Sequence, residues 1–356
     1  MTTVPVVGEI SRQKEIEDVF FERPHVVVLG AGASIAAVPR DRNGLALPDM
    51  RGLASLPEIE DLFREAGIAD AQDDFEAAYA RLRAGGQHGE IGDRIDSIVR
   101  DFFAAVEIGD EPTIYDHLLL GLRSKDLIAT FNWDPLIVQA EMRLRLEGVH
   151  DLPQVVFLHG NVAIYVCLDD AKAGLAGERC PTCGKELEPS PLLYPVTEKN
   201  YEDNAFIKYA WHALRWGLEH GRIITVFGYR APVTDVAAIS EFQQAWGTPE
   251  QRQFEQFEFI VRPGSNHDET RMRWDGFVHT HHYDVWDGFF ESWIARHPRR
   301  TGEVYYRQYI EANFVDENPV PQGLDLPSTV EWYEGLLEYE RRAKKPSPVW
   351  LSPNAV

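Results

Sequence analysis

The chain has 356 residues, with 57 acidic and 35 basic side chains and a formal charge of −22. That balance excludes a surface built to bind nucleic acid, and 44% hydrophobic with 26% charged residues excludes a disordered or collagenous chain. No run approaches the ~20 apolar residues that span a bilayer, and no basic stretch followed by an apolar one opens the sequence, so no membrane contact and a cytoplasmic location are expected. Three cysteines are too few for a disulfide framework. Two of them form a Cys-x-x-Cys pair, which in a reducing compartment points to a metal.

Residues 12–21 mix charged and apolar positions at helical spacing, and Pro24 ends the pattern. His25-Val26-Val27-Val28-Leu29 then reads as a buried strand, followed at once by the small-residue turn Gly30-Ala31-Gly32-Ala33-Ser34. Residues 57–106 are helical in pattern, with a break expected at Gly85-Gly86. Four more buried runs follow. They are Asp126-Leu127-Ile128-Ala129-Thr130, Val155-Val156-Phe157-Leu158, Ile223-Ile224-Thr225-Val226-Phe227 and Phe257-Glu258-Phe259-Ile260-Val261. A helix is expected over residues 135–146, between the second and third of the five runs.

Continuous apolar runs separated by helical segments predict an α/β fold, with a Rossmann-like, mostly parallel sheet covered by helices on both faces. The expected division is residues 1–264 as the nucleotide-binding domain, carrying a helical insert (57–122) and a small knuckle-like insert (165–193). Residues 265–356 form an aromatic-rich C-terminal extension, expected to be an oligomer or partner surface. In that extension, His279-x-His281-His282 reads as a polar turn before an aromatic helix, and a further helix is expected near residues 332–345.

In sheets of this kind ligands bind beyond the carboxyl ends of the strands. Ser34, Asn132, Asp134, His159 and Tyr229 all fall just after such ends. Each residue alone suits an ordinary turn; their convergence predicts a shared pocket. Gly30-Ala31-Gly32 places backbone amides at a helix start, where the dipole favours phosphate. A dehydrogenase fingerprint would want a third glycine where this chain has Ile35, which weighs against hydride transfer.

Taken in order, Gly30-Ala31-Gly32-Ala33-Ser34, Leu47-Pro48-Asp49-Met50-Arg51, Thr130-Phe131-Asn132-Trp133-Asp134 and Leu158-His159-Gly160 resemble the sirtuin signature. Phe227-Gly228-Tyr229-Arg230-Ala231-Pro232-Val233-Thr234-Asp235 is similar to the late motif of the bacterial sirtuin-like domains of antiphage defence. The resemblance spans residues 24–262. It implies a domain that binds NAD and breaks its nicotinamide–ribose bond. It also implies that Asn132 orients the ribose and the attacking water and that His159 is the base, a task suited to a side chain with an unperturbed pKa of about 6.5. Asp49 would face the carboxamide, while Arg51, Gly30, Ala31 and Gly32 would hold the pyrophosphate. Ser34 would contact phosphate or ribose, Asp134 would support Asn132, and Gly228 and Tyr229 would complete the cofactor site.

Where deacylases of this family have Gln before the catalytic Asn, this chain has Phe131. The activity implied is NAD hydrolysis to ADP-ribose and nicotinamide by a regulated effector of antiphage defence, acting as a homo-oligomer or with a partner protein such as an ATPase. A protein deacylase or ADP-ribosyltransferase, and a non-catalytic NAD or ADP-ribose sensor, are the alternatives. Cys180-Pro181-Thr182-Cys183-Gly184 is a zinc-type knuckle. Sirtuins carry two such pairs; here the first is reduced to Cys167, with Asp170 in the second position. A structural zinc held by Cys167, Asp170, Cys180 and Cys183 is expected, the alternative being a knuckle that packs without metal.

Overall fold

The computed structural model describes residues 8–84, 89–194, 204–230, 236–248, 250, 252, 255–276, 278 and 282–343. Its centre is a six-stranded sheet. We number the strands β1 (His25–Leu29), β2 (Leu127–Thr130), β3 (Gln154–Phe157), β4 (Ile223–Phe227), β5 (Gln256–Ile260) and β6 (Tyr283–Trp286). They lie in the order β3-β2-β1-β4-β5-β6, and every pairing is parallel. This is the doubly wound dinucleotide-binding order, whose direction reverses between β1 and β4.

Side chains alternate across the strands. Val27 and Leu29 enter one core with the helices of the insert, and Val26 and Val28 enter a second core with the helices Ala205–His220 and Val236–Trp246. Both faces are therefore covered, which is why the central strands carry no solvent-facing polar row. The helix Met50–Ala54 precedes the insert, which comprises the helices Pro57–Glu65, Phe75–Ala84, Gly89–Ala104 and Ile114–Gly121. The Gly85-Gly86 break lies outside the described residues. The helix Leu136–Leu146 follows β2 as expected.

Three regions depart from the sequence expectations. The first helix covers only Arg12–Glu17, capped by Ser11. Beyond it, the amides of Phe20 and Phe21 donate to Glu303 Oε1 at 2.9 Å, which draws the chain out of helical geometry. Next, His282 leads directly into β6 rather than into an aromatic helix, and β6 supplies the edge strand of the sheet from beyond residue 264. His279 and His281 lie outside the described residues. Third, the C-terminal segment, whose Trp274, Phe289, Trp293, Tyr305 and Tyr333 are buried, ends in a helix with other bounds than expected. The last helix, Leu326–Arg342, begins and ends earlier than residues 332–345 and is pinned by an interior ion cluster. In that cluster Glu340 receives Arg299 at 2.7 Å and Arg300 at 2.6 Å.

Residues 165–189 form a separate three-stranded antiparallel sheet, with Tyr165–Cys167 between Lys172–Gly174 and Glu188–Pro189. No helix among the described residues is long and apolar enough to cross a membrane.

Candidate active site

The turn after β1 meets the loop after β4 at the reversal point of the sheet. Gly30 N donates to Phe227 O at 3.0 Å and Gly32 N to Gly228 O at 3.1 Å. A Cβ on Gly32 would lie 2.8 Å from Gly228 Cα, and one on Gly228, whose φ is +66°, would lie 2.2 Å from Ala33 N. These glycines let two backbones touch, and the amides of Gly30 and Gly32 are engaged there. Tyr229 follows, its ring stacked on Phe131 with centroids 4.2 Å apart.

Beside this contact, four polar side chains meet in the interior. Ser34 Oγ donates to Asp134 Oδ2 at 2.7 Å and lies 2.6 Å from Tyr115 Oη. Asn132 Nδ2 donates to Gly30 O and to Ser34 Oγ, both at 2.9 Å, with Tyr115 Oη at 3.3 Å. All four are buried. Burial pushes the Asp134 carboxyl above its usual range and the Tyr115 phenol well above its own. Both protons of the Asn132 amide nitrogen face inward, and among the described residues no donor meets Oδ1. Asn161 ties the loop down from the other side, Nδ2 donating to Asp134 O at 2.7 Å.

Asn132, Ser34 and Asp134 line one narrow cleft together with Ala31, Asp49 and Phe131. Asp49 caps the helix Met50–Ala54, Oδ1 accepting from Gly52 N at 2.9 Å. The cleft measures about 50 Å3, room for one or two waters and short of the roughly 300–1,000 Å3 of ligand pockets. A larger open hollow of about 540 Å3 lies between Phe20, Arg23, Tyr306 and Arg307. It is remote from the motif residues, and Arg307 there is already paired with Asp18 and Glu311.

The expected residues are thus only partly brought together. Ala31, Ser34, Asp49, Asn132 and Asp134 share the cleft, and Gly30, Gly32, Gly228 and Tyr229 build the adjoining wall. His159, after β3, does not line the cleft: its ring packs edge-on against Phe131 at 4.8 Å. Arg51 points outward, near Asp73 and bonded to Gln72 O. Residues 231–235 of the late motif lie outside the described residues. Sequence reasoning missed Tyr115, whose neighbours in the chain carry no motif, and Asn161, which stands one residue beyond Leu158-His159-Gly160.

The knuckle places its four donors as one set. The ligand atoms of Cys167, Asp170, Cys180 and Cys183 all lie within 4.8 Å of one another. Cys167 Sγ and Cys183 Sγ are 3.7 Å apart, and Asp170 Oδ2 is 3.1 Å from Cys180 Sγ. Metal–sulfur bonds of about 2.3 Å in a tetrahedron set sulfurs about 3.8 Å apart, so the set fits zinc. The Asp170 carboxylate beside it pushes the Cys183 thiol up to about 12.

No protein-family model matches the chain, and no curated protein matches it. Solved structures similar to it include a Sir2 homologue mutant in complex with ADP-ribose, at 14% identity and TM-score 0.37, covering 93% of this chain and 98% of that one. A Sir2 homologue in complex with NAD is 16% identical with TM-score 0.35, covering 86% of this chain and 97% of that one. Sir2 bound to acetylated peptide is 15% identical with TM-score 0.35, covering 82% and 93%. The six-stranded parallel order defines the fold.

Proposed function

We propose that this chain is a sirtuin-like enzyme that hydrolyses NAD to ADP-ribose and nicotinamide. The observation that carries this reading is the fixed amide of Asn132, whose nitrogen is spent on Gly30 and Ser34 and whose Oδ1 is left as an acceptor. An acceptor held in a buried cleft can orient ribose hydroxyls and a water. Its place in the ordered sirtuin-like motifs, at a strand end of a dinucleotide-binding sheet, supports the same assignment.

In this reaction the C–N bond between ribose and nicotinamide breaks, and its electron pair neutralises the departing pyridinium. No general acid is needed. Water adds to the ribosyl carbon, and its proton passes to His159. Asn132 orients that water, Ser34 and Asp134 hold Asn132, and Asp49 faces the carboxamide. Arg51, Ala31, Gly228 and Tyr229 complete the NAD site once the cleft opens. Phe131 lies between Tyr229 and His159, so its ring is the one that would have to shift for His159 to reach a ribose bound in the cleft. As the resemblance to antiphage-defence domains suggests, the enzyme would be a regulated toxic effector, activated by self-association or by a partner such as an ATPase. A zinc ion held by Cys167, Asp170, Cys180 and Cys183 would be structural.

Protein deacylation is the second reading. Against it stands Phe131, whose ring fills the space between Tyr229 and His159. The test is incubation of the purified chain with NAD, with and without an acyl-lysine peptide. ADP-ribose and nicotinamide formed without peptide support hydrolysis; nicotinamide release only with peptide supports deacylation, and tight NAD binding with no product supports a sensor.

A further inference from the structure

Ser34 Oγ carries one proton and two lone pairs. The proton goes to Asp134 Oδ2 at 2.7 Å, which leaves the lone pairs for Tyr115 Oη at 2.6 Å and Asn132 Nδ2 at 2.9 Å. Every valence of the hydroxyl is used. Burial keeps the Tyr115 phenol protonated, so it serves as donor to Ser34. The Asn132 amide nitrogen spends one proton on Gly30 O and shares the other between Ser34 Oγ and Tyr115 Oη. The flipped amide would set oxygen against the Gly30 carbonyl and leave Ser34 short of a donor.

Tyr115 comes from the helical insert, which sequence order places far from the motifs. Its helix, Ile114–Gly121, is fixed at the start by a capping box of Thr113 and Asp116. Asp116 also pairs with Arg143 on the helix that follows β2. The insert therefore presents the phenol at a set depth beneath Asn132, against a second core element.

We propose that Tyr115 is a positioning residue: through Ser34 it fixes the rotation of the Asn132 amide, so that Oδ1 faces the cleft. The proposal rests on the hydrolase reading for its catalytic consequence and not for the hydrogen-bond tie itself.

The experiment compares wild type, Tyr115→Phe and Asn132→Ala, each labelled with 15N-asparagine. The side-chain NH2 pair that vanishes in Asn132→Ala identifies Asn132. In Tyr115→Phe that pair shifts and its exchange with water rises about tenfold, as expected for the loss of one buried hydrogen bond. For NAD cleavage the same variant loses about tenfold in kcat with KM within about twofold, because orientation in the transition state is lost and binding is not. A thermal midpoint close to wild type excludes general unfolding. If it falls far, Tyr115→His, which keeps a ring and a donor, is read in the same two assays. An NH2 pair that does not move overturns the tie, and a moved pair with unchanged kcat overturns the positioning role. A moved pair in a chain whose wild type releases no nicotinamide supports the tie and defeats the hydrolase reading.

Discussion

Ser34 Oγ donates to Asp134 Oδ2 across 2.7 Å, joining the helix Ala31–Ala37 after β1 to the loop after β2 in the interior. Removing the hydroxyl leaves Oδ2 of a buried carboxylate without its donor, with only Leu136 N still reaching Oδ1, and burial already disfavours that carboxylate. Ser34→Ala should therefore cost about 2 kcal/mol of stability and loosen Asn132. Urea titration checks the first effect, and an unchanged midpoint would contradict it.

The four-donor knuckle should bring about one zinc per chain through purification, measured by elemental analysis. Asp170→Ala leaves three thiolates and should weaken retention against a chelator, whereas Cys180→Ser should abolish it. Asp170→Cys should hold the ion more tightly, since thiolate suits zinc better than carboxylate. A metal-free wild type would contradict the assignment.

Glu340 is buried, which by itself would raise its carboxyl, but Arg299 and Arg300 hold it at about 2. A depressed carboxylate stabilises the fold above its ordinary value of 4.5, and that contribution is lost as pH falls through about 2. Glu340→Gln removes the nearest counter-charge of two buried guanidinium groups, leaving Arg299 only the more distant Asp151 at 3.8 Å. The expected cost at pH 7 is about 3–5 kcal/mol, read from denaturant unfolding, and a cost under about 1 kcal/mol would contradict it.

Glu258 shows the opposite sign. Enclosed in β5, with Thr225 donating to Oε1 and Trp286 Nε1 to Oε2, its carboxyl is pushed up by burial to about 7. A raised pKa favours the fold fully below the ordinary value of 4.5, and the advantage is lost as pH climbs through about 7. Relative to wild type, Glu258→Gln should therefore gain stability between pH 5 and pH 8, by up to about 3 kcal/mol. A difference flat with pH would contradict this.

The central strands were legible because both faces of β1, β2 and β4 are buried, so each reads as an unbroken apolar run. β6 was not, since an edge strand such as Tyr283-Asp284-Val285-Trp286 keeps a carboxylate at its centre and only half buries its side chains. The cluster of Ser34, Asn132 and Asp134 could be anticipated because strand ends converge in this topology. Tyr115 could not: its hydroxyl reaches the cluster only through helix packing, which leaves no local signature. The metal set was readable from Cys-x-x-Cys, and the fold brings Cys167 and Asp170 to it by a tight hairpin. The glycines of the first turn have a structural role that their spacing did not reveal, the close backbone contact of Gly30 and Gly32 with Gly228 and Tyr229.

Nicotinamide release from NAD by wild type and Asn132→Ala, under conditions that open the cleft, tests the central claim most directly. Loss of a group that orients water in the transition state predicts a fall in kcat of about 100-fold or more, with the variant still folded and His159→Ala impaired likewise. Equal turnover by wild type and Asn132→Ala would contradict the account.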